Sequence, residues 1–112
     1  MSVRAQRKPA GLTEDELLTA VLDLLQVYGY RTLHIRPART ARGWETPVQA
    51  QGKGFPDICA AGRGRLIFAE LKSQTGTLEP EQVAWVEALI AAGQTCFIWR
   101  PSDLPSIPSI LT

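Results

Sequence analysis

The segment that most narrows the possible folds is DICAAGRGRLIFAELK, residues 57–72, in which two apolar runs flank Gly62-Arg63-Gly64. A short glycine-bearing link between two runs of strand-forming residues is a β-hairpin signal. Strands are therefore predicted over 57–61 and 65–72. With Arg63-Gly64 as the turn, Gly62 pairs with Arg65, and the same register carried outward sets Asp57 opposite Glu70. Directly opposed residues share a face, with Cβ atoms about 4.5–5.5 Å apart. Lys72 lies two residues beyond Glu70 and points to that face as well. The hairpin thus gathers two carboxylates and an amine at one end of a face whose earlier members, Leu66 and Phe68, are apolar.

The remaining elements follow from periodicity and breakers. Leu17, Leu18, Val21, Leu24, Leu25 and Tyr28 form one apolar stripe, which predicts a helix over 14–28. Thr13 with Glu16 is a capping-box pair, and Gly29 terminates the helix. Residues 30–36 read as a strand that Pro37 stops, with His34 and Arg36 on one face. Residues 37–55 are predicted to be a long loop, rich in Arg, Gly, Thr and Gln. A second helix is predicted over 80–92, with Pro80 in its first turn and Gly93 as its cap. A last strand covers 95–99, and Pro105 and Pro108 leave at most a short broken helical turn in the tail. The order α-β-β-β-α-β predicts an α/β fold with one mixed four-stranded sheet flanked by helices. The expected domain spans 13–104, between a basic tail at 1–12 and a Pro-rich tail at 105–112 that packs on the domain.

Composition limits the functional class. A chain of 112 residues, 45% hydrophobic and 21% charged, fits one domain. No run of 18 apolar residues exists, so a membrane span is not expected, and no apolar stretch follows the basic start as in a secretory signal. Cys59 and Cys96 lie in strand-like runs and are expected to be reduced, which places the chain in the cytoplasm. The net charge of +1 conceals an asymmetry: residues 31–65 carry seven bases against two acids, whereas 66–112 carry two bases against five acids. Such a basic region points to a polyanion on one face, although a solvated loop explains it equally well. Arg36, Arg39, Arg42 and Lys53 are the phosphate-contact candidates. Trp44 either stacks on an unpaired base or pins the loop to the body. His34, whose strand leads into the loop, either contacts DNA or, as is commoner for a lone strand histidine, is structural. Gly52-Lys53-Gly54 lacks the spacing and the following Ser/Thr of a P-loop.

Two carboxylates brought this close repel one another and resist joint ionisation. A divalent cation, Mg²⁺ or Mn²⁺, removes the conflict and takes oxygen ligands such as Asp57, Glu70 and the Leu71 carbonyl. A cross-strand salt bridge, with Lys72 neutralising the pair, is the plainer alternative. Gln82 lies one and two turns before Val86 and Leu89, which turns it inward to partners such as Lys72 or a metal-bound water; a partly exposed helix glutamine is the plainer alternative. On a helical wheel Glu14 falls inside the apolar stripe of the first helix while Glu16 falls on the far side. A carboxylate on the buried face at a helix start wants a cation, a donor or water.

Gly54-x-Pro56-Asp57 followed by Glu70-Leu71-Lys72 resembles the core motif of the PD-(D/E)XK nuclease superfamily. With the Thr-Glu helix start, His34-Ile-Arg-Pro, the Arg-rich loop and Gln82-x-x-Trp85, residues 13–104 are similar to the small stand-alone VRR-Nuc proteins of phage and bacterial genomes. The resemblance implies an αβββαβ core and a metal-dependent DNA endonuclease of branched DNA such as four-way (Holliday) junctions or flaps, usually a homodimer. It makes Asp57 and Glu70 metal ligands and Lys72 the catalytic lysine, and it places Glu14 and Gln82 in the site, Glu14 on the metal directly or through water. Trp85, Trp99 or residues 107–111 are the expected dimer interface. The alternative is a catalytically silent nucleic-acid-binding module of the same fold, and a weaker one a purely structural domain.

Overall fold

The computed structural model describes residues 11–35, 38–40, 43–45 and 49–112, with the backbone alone at 38–40, 44 and 45. Helix α1 (Glu14–Val27) starts at a complete capping box: the Thr13 N–H donates to Glu16 Oε1 at 3.0 Å, and the Glu16 N–H donates to Thr13 Oγ1 at 3.1 Å. Leu17, Val21 and Leu25 of its stripe are fully buried, and Leu18, Leu24 and Tyr28 pack half-buried beside them.

The chain continues through β1 (Arg31–His34), β2 (Ala38–Thr40), β3 (Gly43–Glu45), β4 (Ile58–Gly62), β5 (Arg65–Leu71), α2 (Pro80–Ala91) and β6 (Thr95–Trp99). It ends in a 3-10 helix (Pro101–Ser106) and α3 (Ile107–Leu111). The main sheet has the order β1-β4-β5-β6, antiparallel except for the parallel β5–β6 pair. A parallel pair needs a long crossover, and α2 supplies it. The fold is α/β with a mixed four-stranded sheet, as predicted.

The predicted hairpin register holds. Gly62 pairs with Arg65 and the ladder runs to Ile58 opposite Ala69. Arg63 (φ +52°) and Gly64 (φ +76°) both adopt positive φ, the geometry of a type I′ turn that matches strand twist. Alternation then sorts the sheet into two faces. Ile58, Ala60, Ile67, Ala69, Leu71 and Trp99 join the α1 stripe in the core. Phe68 and Glu70 face α2 on the other side, where Gln82 bonds Glu70.

Three expectations need correction. The long loop contains a separate two-stranded sheet, in which β2 and β3 pair antiparallel with Arg39 opposite Trp44. Strands of three residues are too short for a period-two pattern to register, which is why composition alone reads as loop. The tail is more helical than predicted: Pro101 and Pro108 stand in first turns, where the missing N–H costs no hydrogen bond. Ile107 and Leu111 are fully buried and Trp99 is 3% exposed. These three residues complete the core and are not surface available to a dimer partner. The Tyr30 hydroxyl donates to the Leu111 carbonyl at 3.0 Å, and Arg65 donates to Tyr30 and to the Ile110 carbonyl, pinning the tail.

Candidate active site

The site forms where β4 and β5 run out of paired ladder. Ile58 and Ala69 are the last pair, and the next register partner of Leu71 is Pro56, which has no N–H. Asp57 takes over the rung: its Oδ2 accepts the Leu71 N–H at 2.8 Å, while its backbone carbonyl accepts the Ile35 N–H at 3.1 Å. Proline thus leaves the Leu71 carbonyl without its ladder donor at the point where the Asp57 carboxylate arrives.

Glu70 is 1% exposed and the one buried charged residue among those described. Its Oε1 accepts from Gln82 Nε2 at 3.0 Å, and its Oε2 is buried with no hydrogen-bond partner among the described residues. Burial first, then the negative field of Asp57 and the proton the two carboxyls can share, push the Glu70 carboxyl up to about 9, against the opposing pull of Lys72. Two carboxyl groups near enough to share a hydrogen bond hold either a proton or a cation between them.

Gln82 faces the sheet as its helical position predicts, but its partner is Glu70 and not Lys72. Its Oε1 also accepts the Glu79 N–H at 2.8 Å, so both ends of the amide are fixed. Gly54 makes this possible. It has φ +85°, and a Cβ there would lie 2.6 Å from the Glu81 carbonyl carbon and 2.8 Å from the Gln82 nitrogen. Only glycine lets the loop before Pro56 and Asp57 lie directly against the first turn of α2.

Lys72 is half-buried, and its N–H donates to the Trp99 carbonyl at 3.0 Å. Its positive field acts on both Glu70 and Glu14. Glu14 is within electrostatic reach of Asp57 and Lys72 and bonds the Ser73 backbone, yet it remains exposed and not buried. It precedes the first buried residue of α1, Leu17, by three positions, at the mouth of the helix–sheet interface where solvent still reaches. Partial desolvation and then Asp57 raise its carboxyl, while Lys72 and the Ser73 bond lower it.

Arg100 is a positioning residue that no sequence pattern signalled. Its Nη1 donates to the carbonyls of Ser73 at 2.7 Å and Gly76 at 2.6 Å, which fixes the loop after Lys72. Leu71 pairs with Trp99, so Arg100 follows β6 as Lys72 follows β5. Parallel pairing between strands separated by a helix leaves no local signal for this.

The remaining candidates are dispersed. His34 pairs with Ile58, which puts it on the α1 face and not on the face of Glu70. Lys53 is 82% exposed and lies 3.7 Å from Glu81. Arg39 and Trp44 are cross-strand partners in the β2–β3 ribbon. Arg36 and Arg42 lie outside the described residues. Arg63 and Arg65 bond Tyr28, Tyr30 and the tail instead. Cys59 and Cys96 are free, with thiols raised by burial.

Among the described residues no group of three or more His, Cys, Asp or Glu side chains is arranged to hold a metal ion. An ion at this site would take the Asp57–Glu70 pair, completed by backbone oxygen and water. The donor set fits a hard divalent cation: two carboxylates, a carbonyl without its ladder partner, and an orphaned buried carboxylate oxygen. No helix among the described residues is long and apolar enough to cross a membrane. The chain matches no family model, no curated protein and no solved structure.

Proposed function

We propose that the protein is a metal-dependent DNA endonuclease of the VRR-Nuc type. The observation that carries this reading is the partnerless Oε2 of fully buried Glu70 beside Asp57. A structural salt bridge explains it poorly, because among the described residues Lys72 makes no ion pair with either carboxylate, and that oxygen is satisfied only by a proton shared with Asp57 or by a cation. Asp57, Glu70 and the Leu71 carbonyl would hold Mg²⁺ or Mn²⁺, with Glu14 reaching it through water. When bound, the ion supplies an activated water and neutralises charge on the phosphate. Gln82 keeps Glu70 Oε1 occupied and fixes the carboxylate, so that Oε2 would be the oxygen left for a cation. Lys72 Nζ donates to a phosphoryl oxygen as negative charge develops there.

A two-stranded ribbon is a shape that the DNA major groove admits, and β2–β3 carries Arg39 between Arg36 and Arg42 in the sequence. Lys53 adds a cation one residue before Gly54. Paired cuts in a four-way junction need two sites related by a two-fold axis, so the active form is a homodimer. Leu33, Leu66 and Ile98 on the α2 side of the sheet are exposed, as is Ile90 of α2. They replace Trp99 and the tail as its apolar contact surface.

The test incubates labelled duplex, flap, single-stranded and four-way-junction DNA with the protein in Mg²⁺, Mn²⁺ or EDTA, with light scattering for the oligomeric state. Cleavage in either metal that disappears in EDTA and in Asp57→Asn is expected. Binding without cleavage in any metal identifies a silent binding module instead.

A further inference from the structure

Trp85 is absorbed neither by the core nor by the carboxylate site. It is half-buried on α2, one turn after Gln82, and its Nε1 donates to the Gln51 carbonyl at 2.8 Å. Phe55 meets it edge-on, with ring centroids 4.9 Å apart and planes at 79°, and meets Phe68 behind it in the same way. In front of this pair is an open pocket of about 500 Å³ lined by Ile35, Phe55, Trp85 and the turn 49–52. The turn is closed by a bond from the Gly52 N–H to the Gln49 carbonyl, and Ala50 in it has φ +57°, a conformation costly for a residue with a Cβ.

We infer that this pocket receives one unpaired nucleobase of the DNA whose backbone lies at Asp57 and Glu70. The inference rests on the nuclease reading and gives it a substrate preference. Phe55 is two residues from Asp57, and Ile35 bonds the Asp57 backbone, so whatever enters the pocket hangs from a chain running past the carboxylates. Among the described residues the walls are apolar and aromatic apart from the Gln49 and Gln51 amides and carry no charged side chain, which suits a neutral heteroaromatic ring and not a phosphate. The indole is held rigid by its own hydrogen bond and so forms a ready stacking platform. Gln49 and Gln51 at the rim carry amides that can meet a base edge. On the other side of Trp85 a second cleft of similar size is lined by Lys53 and Glu81, an exposed ion pair at 3.7 Å from which Lys53 can turn to a neighbouring phosphate. A base in an intact duplex is paired and stacked and cannot enter. The pocket therefore selects DNA with an unpaired nucleotide next to the scissile bond, as at a flap or a branch point.

The test measures binding of a short single-stranded oligonucleotide to the full chain in EDTA, so that cleavage does not interfere. Each nucleotide is replaced in turn by an abasic site. Loss of one particular base is expected to weaken binding about 5- to 150-fold, the range for one stacked base. Trp85→Ala should cause a loss of the same size and abolish the sensitivity to that abasic position, while Trp85→Phe recovers most of it. Binding that ignores every abasic site overturns the pocket and leaves the nuclease reading standing. An abasic effect that survives in Trp85→Ala also overturns it, since the base then sits elsewhere. Failure to bind the oligonucleotide at all overturns the pocket, while the nuclease reading stands or falls on the separate cleavage assay in Mg²⁺ or Mn²⁺. The abasic scan needs no variant, so an unstable Trp85→Ala protein does not prevent a decision.

Discussion

A carboxyl group that is 1% exposed, with one oxygen unsatisfied, folds more readily protonated than charged. The Glu70 carboxyl is pushed up to about 9 from an ordinary value of 4.5, so the metal-free folded state keeps a proton that the unfolded chain releases. Its contribution is fully present below the ordinary value and is lost as pH climbs toward the raised one, at up to about 1.4 kcal/mol per pH unit. Thermal melts in EDTA should therefore show Tm falling across that window, and Glu70→Gln should flatten the fall. Mg²⁺ or Mn²⁺ should raise Tm of the wild type at pH 8 but not that of Glu70→Gln. A wild-type Tm that rises over the same window would contradict the assignment. Two acids in one turn of α1 offer a second comparison. Glu14→Gln should lower cleavage sharply with little change in stability, because Glu14 is exposed and acts on Asp57 and Lys72 through its charge. Glu16→Ala should cost about 1 kcal/mol by removing half of the capping box and leave turnover per folded molecule near wild type. Urea unfolding and active-site-normalised rates separate the two.

Between elements, the contact that matters most is the loop before β4 against the start of α2. Gly54→Ala forces an L side chain to φ +85° and places its Cβ against the Glu81 backbone. It should destabilise the fold by about 2 kcal/mol or more. It should also reduce turnover per folded molecule, because Gln82 can no longer hold Glu70. Full activity in a destabilised Gly54→Ala protein would show that the Gln82–Glu70 bond is not needed. The β2–β3 ribbon and its surroundings make an electrostatic prediction. Replacing Arg39, Arg42 and Lys53 together by Ala should weaken duplex binding and flatten its salt dependence, by roughly 0.9 in slope for each phosphate no longer neutralised. An unchanged slope would remove these residues from the phosphate interface.

For the molecule as a whole, the C-terminal segment after β6 decides whether the core is closed. Ile107 and Leu111 are fully buried, and the Leu111 carbonyl accepts from Tyr30. Deleting 107–112 re-exposes the core they cover, at about 1.5–3 kcal/mol for each of the two side chains, and strands the Tyr30 hydroxyl. The truncated protein should melt far lower or fail to fold, as judged by circular dichroism. A truncation with wild-type Tm would show that the sheet and α1 suffice.

Local elements and one non-local pairing are legible in the amino-acid order alone. Thr13 and Glu16 start α1, its stripe names the buried residues, and Gly62-Arg63-Gly64 sets the β4–β5 register. That register is enough to bring Asp57 to Glu70, because a hairpin turn fixes every pair beyond it. The placement of Gln82 facing the sheet followed from helical spacing. Features that span longer connections emerge only when the elements pack. The burial of Trp99, Ile107 and Leu111, the exposure of Glu14, the hold of Arg100 on the loop after Lys72, and the contact of Gly54 with Glu81 all depend on how separate elements meet. Periodicity tells a residue which way to face along its own strand or helix; it does not say what will be standing there.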